Sequence, residues 1–341
     1  MRLAYVLDRP ELCGGVKVVF QHAQILHALG HRVTVVAAGE RPSWIPFDGD
    51  FVDTRSGPPA LPRQDLLIAT FWTTVDVAAH LDRGPVAHFC QGYEGDLPHL
   101  EPVRSRIEAI YRRPLPTLVA APHLGELVRE RFGRQFRVTP PPLDPRFRPS
   151  WRWRPRRRPW VMISGLFESH VKGIPLALTA SKRLREVGLR HRILRVSTWP
   201  LSESERQILA PDRYLCHVHP RVVASAMRRC DLLLFTSGVA EGFGLPVLEA
   251  MASGVPVVAS NIPSMPFIGA DALALVPLGD ARALADAARR LLESPGGWRA
   301  ARRRGRVAAR AFAASRVAGE LTAAVEWAAR ASRDDLVPVG P

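Results

Sequence analysis

The stretch at residues 231–263, DLLLFTSGVAEGFGLPVLEAMASGVPVVASNIP, limits the possible folds of this chain more than any other. Leu232–Phe235 is a short apolar run of buried-strand type that breaks at Thr236, Ser237 and Gly238, as a strand entering a surface loop does. In the loop that follows, Glu241-Gly242-Phe243-Gly244 sets two glycines around a phenylalanine, so backbone can approach a ligand where a Cβ would obstruct it. Pro246 then opens a helix, at a first position where its missing N–H had no partner to lose. Gly254 stops that helix, and residues 255–259 form the next strand.

Strand, glycine loop, helix and strand make a βα unit whose helix N-terminus aims unpaired N–H groups and positive dipole at the loop. Such an end holds an anion, and a diphosphate fits it without further machinery. Glu241 lies in the loop and Glu249 about one turn into the helix, so both carboxylates face one crevice at different depths. Carboxylates beside a phosphate repel it and accept from hydroxyls instead. Two hydroxyl acceptors beside one diphosphate point to a nucleotide sugar.

The string EGFGLPVLEAMASGVPVVAS resembles the signature of the retaining glycosyltransferases of family 4, with Glu241 and Glu249 on its E-x7-E positions. The resemblance implies an α/β chain of GT-B fold: two facing Rossmann-like domains with parallel sheets and an interdomain crevice. It also implies roles. Glu241 touches the donor sugar, Glu249 binds the ribose hydroxyls, and the backbone of Gly242, Phe243, Gly244 and Leu245 meets sugar and phosphate. The implied reaction is metal-independent transfer of a hexosyl-type group from a nucleoside diphosphate sugar to a hydroxyl, with retention and with no cofactor beyond the co-substrate. In this scheme Glu241 orients the sugar electrostatically and is not a nucleophile.

Two further loops carry glycines and a lysine. After a strand at residues 3–7 comes Cys13-Gly14-Gly15-Val16-Lys17, then a helix closing at Gly30 and a strand at residues 33–37. It lacks GxGxxG, so a dinucleotide reading is poor. In the family this loop comes up to the donor phosphate or the acceptor, which implicates Gly14, Gly15 and, on the acceptor side, Lys17. After a strand at residues 160–164, Gly165, Lys172 and Gly173 with Pro175 resemble the family's G-R-L-x-x-x-K-G segment, so Lys172 neutralises the diphosphate. The loop is one residue longer than the pattern, and Leu166 replaces its arginine. Arg221, Arg154 and Lys17 are the alternatives for that second cation.

Charge gives these lysines weight. The formal net charge is +15, yet the only lysines are Lys17, Lys172 and Lys182. A compact ammonium suits phosphate as a point charge, and two of the three sit at glycine loops. With 47% hydrophobic and 23% charged residues the chain is globular, and 341 residues suggest two domains. The expected division is 1–149 for an acceptor domain, 150–159 for a basic linker, 160–318 for a nucleotide-sugar domain, and 319–341 for a helix crossing back to the first domain. No apolar run approaches the ~20 residues of a membrane span, and the opening Met1-Arg2-Leu3 runs directly into a strand without a leader, so a cytoplasmic protein is expected. Cys13, Cys90, Cys216 and Cys230 are far apart without CxxC spacing, so reduced thiols are expected and neither a metal nor a disulfide is.

Other segments refine the assignment. Residues 85–90 form a strand running out into Gln91-Gly92-Tyr93-Glu94-Gly95-Asp96, a polar tip expected at the ligand because open α/β sheets bind at strand carboxyl ends. Many family members carry a histidine where this chain has Gln91, and glutamine cannot take up a proton. Members similar to rhamnosyltransferases also have glutamine and an aromatic here. Gln91 is thus a catalytic-position candidate, with Tyr93 and Glu94 on the acceptor side. Residues 215–218 form a strand ending beside His219-Pro220-Arg221, which in the family lies under the nucleobase and places Val218 at the donor. Met265-Pro266-Phe267 replaces the family's acidic turn. Asp48-Gly49-Asp50 spells DxD, but lacks the strand-end frame of a nucleotide-sugar metal site.

WRWRPRRRPW, residues 151–160, has five arginines and three tryptophans. It reads as a stiff, solvated hinge, as an interfacial anchor on anionic membrane, or as a nucleic-acid patch. Peripheral contact with the inner face of a membrane is therefore open, since acceptors in the family are glycans, small molecules or lipid-linked, whereas a nucleic-acid partner is disfavoured. Two further readings differ in class: a non-catalytic nucleotide-sugar-binding scaffold, motivated by Gln91 and Leu166, and a basic membrane- or nucleic-acid-binding protein, motivated by the charge.

Overall fold

Short runs of Val, Leu, Ile and Ala without polar alternation build strands buried on both faces, which is the pattern of a parallel sheet covered by helices. A computed structural model, describing residues 1–57 and 60–334, shows two such sheets. Cα packing divides the chain into one unit of residues 1–142 plus the described residues from Phe312 onward, and a second of Leu143–Ala311.

In the first unit the strands are β1 (Arg2–Val6), β2 (Arg32–Ala37), β3 (Asp50–Asp53), β4 (Leu66–Ala69), β5 (Val86–Cys90), β6 (Thr117–Val119) and β7 (Phe136–Val138). All neighbours pair in parallel in the order β3-β2-β1-β4-β5-β6-β7. Helices α1 (Gly14–Ala28), α2 (Trp72–His80), α3 (Arg104–Tyr111) and α4 (Pro122–Phe132) make the crossovers.

The second unit repeats the plan. Its strands β8 (Trp160–Ser164), β9 (Arg192–Ser197), β10 (Arg213–Cys216), β11 (Leu232–Phe235), β12 (Val257–Ser260) and β13 (Ala274–Val276) are ordered β10-β9-β8-β11-β12-β13. Helices α5 (Ile174–Glu186), α6 (Glu203–Ile208), α7 (Pro220–Met227), α8 (Leu245–Ala252), α9 (Met265–Gly269), α10 (Ala281–Glu293) and α11 (Pro295–Ala309) follow. The alanine-rich run after Trp298 is broken by a single turn at Arg310–Phe312, beyond which α12 (Ala314–Asp334) packs on α1 and on β4 to β7. Residues 335–341 of the expected crossing helix lie outside the described residues.

In each unit the chain starts at a central strand, winds outward, and returns to the other side of its starting strand. The order therefore reverses between β8 and β11, whose register sets Leu232 beside Val161 and Leu234 beside Ile163. Loops leaving the carboxyl ends of strands at such a reversal flank the natural ligand crevice of an open α/β sheet.

Asp231, directly before β11, anchors the second unit. Fully buried, it accepts from Arg152 Nη1 at 2.5 Å, Arg156 Nη1 at 2.9 Å and the Trp160 amide at 2.9 Å, while its carbonyl accepts from Trp298 Nε1 at 2.7 Å. Residues 151–160 are thus solvated for the most part, with Trp151, Trp153, Arg154, Arg156, Arg157 and Arg158 exposed, but Arg152 is drawn inward and Arg156 reaches in from the surface because a buried carboxylate needs paired charge.

Candidate functional site

The site is best built from the two loops at the β8/β11 reversal. Gly165 follows β8, and its carbonyl accepts from Arg195 Nη2 at 3.0 Å, while Arg195 Nη1 donates to the Ile163 carbonyl at 2.9 Å. Arg195 is itself fully buried on β9 and ion-paired to the equally buried Glu205. Neither residue stood out in the sequence. The available signal was an arginine inside the apolar run RILRVS, which is costly unless paired.

From Gly165 the loop runs to one turn of 3-10 helix at His170–Lys172 and then to Gly173, which caps α5 in the left-handed conformation at φ 57°. A Cβ on Gly173 would lie 2.3 Å from the Thr236 carbonyl oxygen, so only glycine fits there. The Thr236 hydroxyl donates to the Lys172 carbonyl at 3.1 Å and the Gly238 amide donates to the Val171 carbonyl at 2.7 Å. These bonds latch the lysine loop onto the end of β11. As a result Lys172 Nζ sits 2.7 Å from Glu241 Oε2, joining two predicted residues that are 69 positions apart. The Glu241 side chain is buried, and the Lys172 side chain is about one-third exposed.

The Glu241-Gly242-Phe243-Gly244 loop is buried. Gly244 caps α8 at φ 102°, and a Cβ there would meet Met265 Cε at 3.1 Å and Phe235 Cζ at 3.3 Å. The helix begins at Leu245, which puts Pro246 at its second position and not its first; either site lacks an intrahelical partner for the N–H that proline removes. Met265 and Phe267, where the family has an acidic turn, close an apolar floor beneath this loop, with the Phe243 and Phe267 rings edge to face at 6.3 Å. Glu249, half-buried, is the fifth residue of α8. No side chain caps α8 or α5; Pro175 and Pro246 have no N–H, and the Leu176 and Val247 amides donate back to the Gly173 and Gly244 carbonyls at 3.0 and 2.9 Å, so each helix offers an anion its first amide, of Ile174 or Leu245, together with its dipole.

In the first unit Gly14 and Gly15 are the first residues of α1, and the Cys13 thiol accepts weakly from the Val16 amide at 3.5 Å. Lys17 is buried on the same helix. Gln91, at the carboxyl end of β5, lies against Gly15, where an added Cβ would be 3.4 Å from Gln91 Nε2. The loop after β1 and the tip after β5 are thus brought together. Tyr93 and Glu94, expected on the acceptor side, are both buried. Tyr93 packs edge to face on Tyr111 and lies against Phe132, and Glu94 accepts from the Tyr111 hydroxyl at 2.6 Å. Burial pushes the Glu94 carboxyl up to about 7, against the stabilising Tyr111 hydrogen bond.

Val218 follows β10 between His217, at φ 46°, and His219, whose Nδ1 accepts from the Arg221 amide at 3.1 Å. Arg221, one candidate for the missing second cation, lines an arginine pocket with Arg146, Arg148 and Arg228. Arg154 is exposed. Asp48 of the DxD-like turn exchanges hydrogen bonds with the Gln24 amide group at 2.7 and 2.8 Å. Among the described residues no group of three His, Cys, Asp or Glu side chains is arranged to hold a metal ion.

Two parallel-sheet Rossmann-like units of seven and six strands define a GT-B fold, and solved structures agree. Sucrose-phosphate synthase from Thermosynechococcus elongatus superposes with a TM-score of 0.79 at 19% identity, covering 96% of this chain and 98% of that one. HepE from Anabaena, solved in complex with UDP-glucose, gives 0.76 at 14% identity over 96% and 100% of the two chains. At the level of sequence, residues 158–294 match the family model described as Glycosyl transferases group 1. Phosphatidyl-myo-inositol mannosyltransferase of Mycobacterium leprae is 32% identical over 145 residues, 41% of this chain and 39% of that protein. O-antigen chain mannosyltransferase B of Escherichia coli is 66% identical over 32 residues, 9% of this chain and 8% of that one. The matches thus span well under half the length of these curated relatives.

Proposed function

We propose that this chain is a retaining glycosyltransferase that moves a sugar, of hexosyl type, from a nucleoside diphosphate donor to a hydroxyl acceptor without a metal. The observation that carries the reading is the Lys172–Glu241 pair at the β8/β11 reversal, set between two uncapped helix N-termini. The match of residues 158–294 to a glycosyltransferase family supports it.

In this reading the donor diphosphate lies at the amino ends of α5 and α8. Lys172 exchanges its bond to Glu241 for the departing phosphate, which leaves the carboxylate to accept from donor sugar hydroxyls. Glu249 takes the ribose hydroxyls, and the backbone of Gly242, Phe243, Gly244 and Leu245 lines the sugar. Val218 lies at the nucleobase and Gly165 at the phosphate. As the glycosidic bond breaks, negative charge grows on the diphosphate and positive charge on the anomeric carbon. A preorganised donor aimed at such charge contributes about 3 to 4 kcal/mol. The leaving phosphate oxygen takes the proton of the incoming hydroxyl on the same face, which gives retention. Gly14, Gly15 and Lys17 of the first unit approach donor phosphate or acceptor, and Gln91 orients the acceptor by hydrogen bonding. The relatives named for a phosphatidyl-inositol and an O-antigen chain favour a lipid-linked or glycan acceptor.

The test is donor turnover. With UDP-, GDP-, dTDP- and ADP-sugars in the presence of chelator, release of nucleoside diphosphate is expected from one of them and is lost in Glu241→Ala. NMR of the product would show the anomeric configuration of the donor. An inverted product, or turnover that needs added metal, would defeat the mechanism.

A further inference from the structure

Apart from Arg221, a candidate for the second cation, the residues of the arginine pocket and the tryptophans beside it have no part in the transfer reaction proposed above. The pocket holds about 320 Å³ and is lined by Pro145, Arg146, Arg148, Arg221, Ala224 and Arg228. Arg221, Ala224 and Arg228 stand three and then four positions apart, so they share one face of α7 and its carboxyl end. Asp144 neutralises Arg146 through bonds of 2.9 and 2.7 Å. Arg148 is held by one bond from its Nε to the Pro145 carbonyl at 2.9 Å. The Arg221 and Arg228 guanidinium groups make no ion pair among the described residues. The pocket therefore carries an excess of positive charge.

Immediately after Arg148 the chain shows an unusual alternation. Arg152 turns inward to Asp231 and to the Arg228 carbonyl at 3.2 Å, itself part of a pocket-lining residue, while Trp151 and Trp153 on either side point out with exposures of 91% and 70%. The segment is fixed at both ends, since Arg302 Nη2 donates to the Ser150 carbonyl at 2.6 Å and Arg156 holds Asp231. Two indoles are thus presented to solvent on a pinned backbone. An indole combines apolar area with one polar N–H, and that combination favours the headgroup layer of a bilayer over bulk water.

We propose that this face of the second unit docks on an anionic membrane, with Trp151 and Trp153 at headgroup depth and Arg148, Arg221 and Arg228 on lipid phosphates. Nucleic acid fits less well, because the two indoles flank an arginine that faces inward and leaves no guanidinium between them for a phosphate backbone. The docking does not depend on the transfer reaction proposed above, and it is measured without nucleotide.

The full-length protein is sedimented with vesicles of phosphatidylcholine, with and without phosphatidylglycerol. Binding is expected only with phosphatidylglycerol, weakening as salt is raised, with a blue shift of tryptophan fluorescence. Trp151→Ala/Trp153→Ala should abolish the blue shift. Arg221→Gln and Arg228→Gln should each lower the partition coefficient about fivefold, equivalent to about 1 kcal/mol per charge at the surface. Trp151, Trp153 and Arg221 are exposed and Arg228 is half-buried, and a circular dichroism melt unchanged from the parent confirms that each variant is folded. Sedimentation indifferent to both sets of substitutions would overturn the assignment and leave only the general charge of the chain. So would binding of inorganic phosphate, or of duplex DNA, that needs the same arginines while vesicles are ignored.

Discussion

The loops after β1 and after β8 look alike in sequence, each with glycines and a lysine opening a helix, but they differ in what the glycines are for. After β8, Gly173 is left-handed at φ 57° and touches the Thr236 carbonyl, so the loop is locked to its neighbour across the reversal. After β1, Gly14 and Gly15 are ordinary helical residues, and Gly15 leaves room for Gln91. One loop needs glycine to fold. The other needs it only for what comes close.

Substitution separates these roles. Gly173→Ala has the largest expected effect, because a left-handed alanine costs about 1 to 2 kcal/mol and the steric conflict with a backbone carbonyl adds to it. A loss of about 3 kcal/mol in denaturant unfolding is expected; a variant as stable as the parent would mean the latch is not required.

A comparable effect, reached by pH, concerns the tip that carries Gln91 to Gly15. Glu94 has its carboxyl raised to about 7 in the folded protein, so the folded state holds a proton that the unfolded chain releases above about 4.5. Stability contributed by this group is present below the unfolded value and declines as pH rises from about 4.5 to about 7, by at most ~3 kcal/mol. His22, fully buried and lowered to about 4, acts in the other sense: stability falls as pH drops from about 6.5 toward 4, because the unfolded chain then binds the extra proton. Glu94→Gln should therefore flatten the high-pH decline and leave the acid limb intact. An unchanged profile in that variant would place the titration elsewhere.

The smallest expected effect is Gly15→Ala. Its Cβ makes an ordinary contact of 3.4 Å with Gln91 and alanine is the better helix former, so stability should stay within about 0.5 kcal/mol. If the first loop meets a phosphate, donor or acceptor affinity falls while folding does not. Loss of both together would make the glycine structural and erase the contrast.

The parts legible in the sequence were those set by local rules. Leu232–Phe235, the glycine loop, the helix with Pro246 and the stop at Gly254 could be placed because apolar runs, proline and glycine act on their own neighbourhood. Parallel sheets followed from the repeated strand and helix alternation. What stayed hidden depends on partners distant in the chain. Lys172 and Glu241 were each singled out, but their pairing depends on the Thr236 and Gly238 latch. Arg195 and Glu205, which position Gly165, look like surface residues until burial makes them need each other. The tryptophan and arginine run divides residue by residue into inward and outward groups only because Asp231 lies beneath it. Glu94 was placed at the ligand because it follows a strand end, but Tyr111 draws it inward.

The central claim, that the two loops at the β8/β11 reversal form one donor diphosphate site, is tested most directly by thermal stability against UDP-, GDP-, dTDP- and ADP-sugars without added metal. The measurement is repeated on Lys172→Ala and Glu249→Ala. A donor at ~100 times its dissociation constant stabilises the folded state by about 2.7 kcal/mol. The account predicts a shift with one nucleotide class, lost in Glu249→Ala and reduced for the free diphosphate in Lys172→Ala. No shift with any donor or free diphosphate, or one that survives both substitutions, would contradict it.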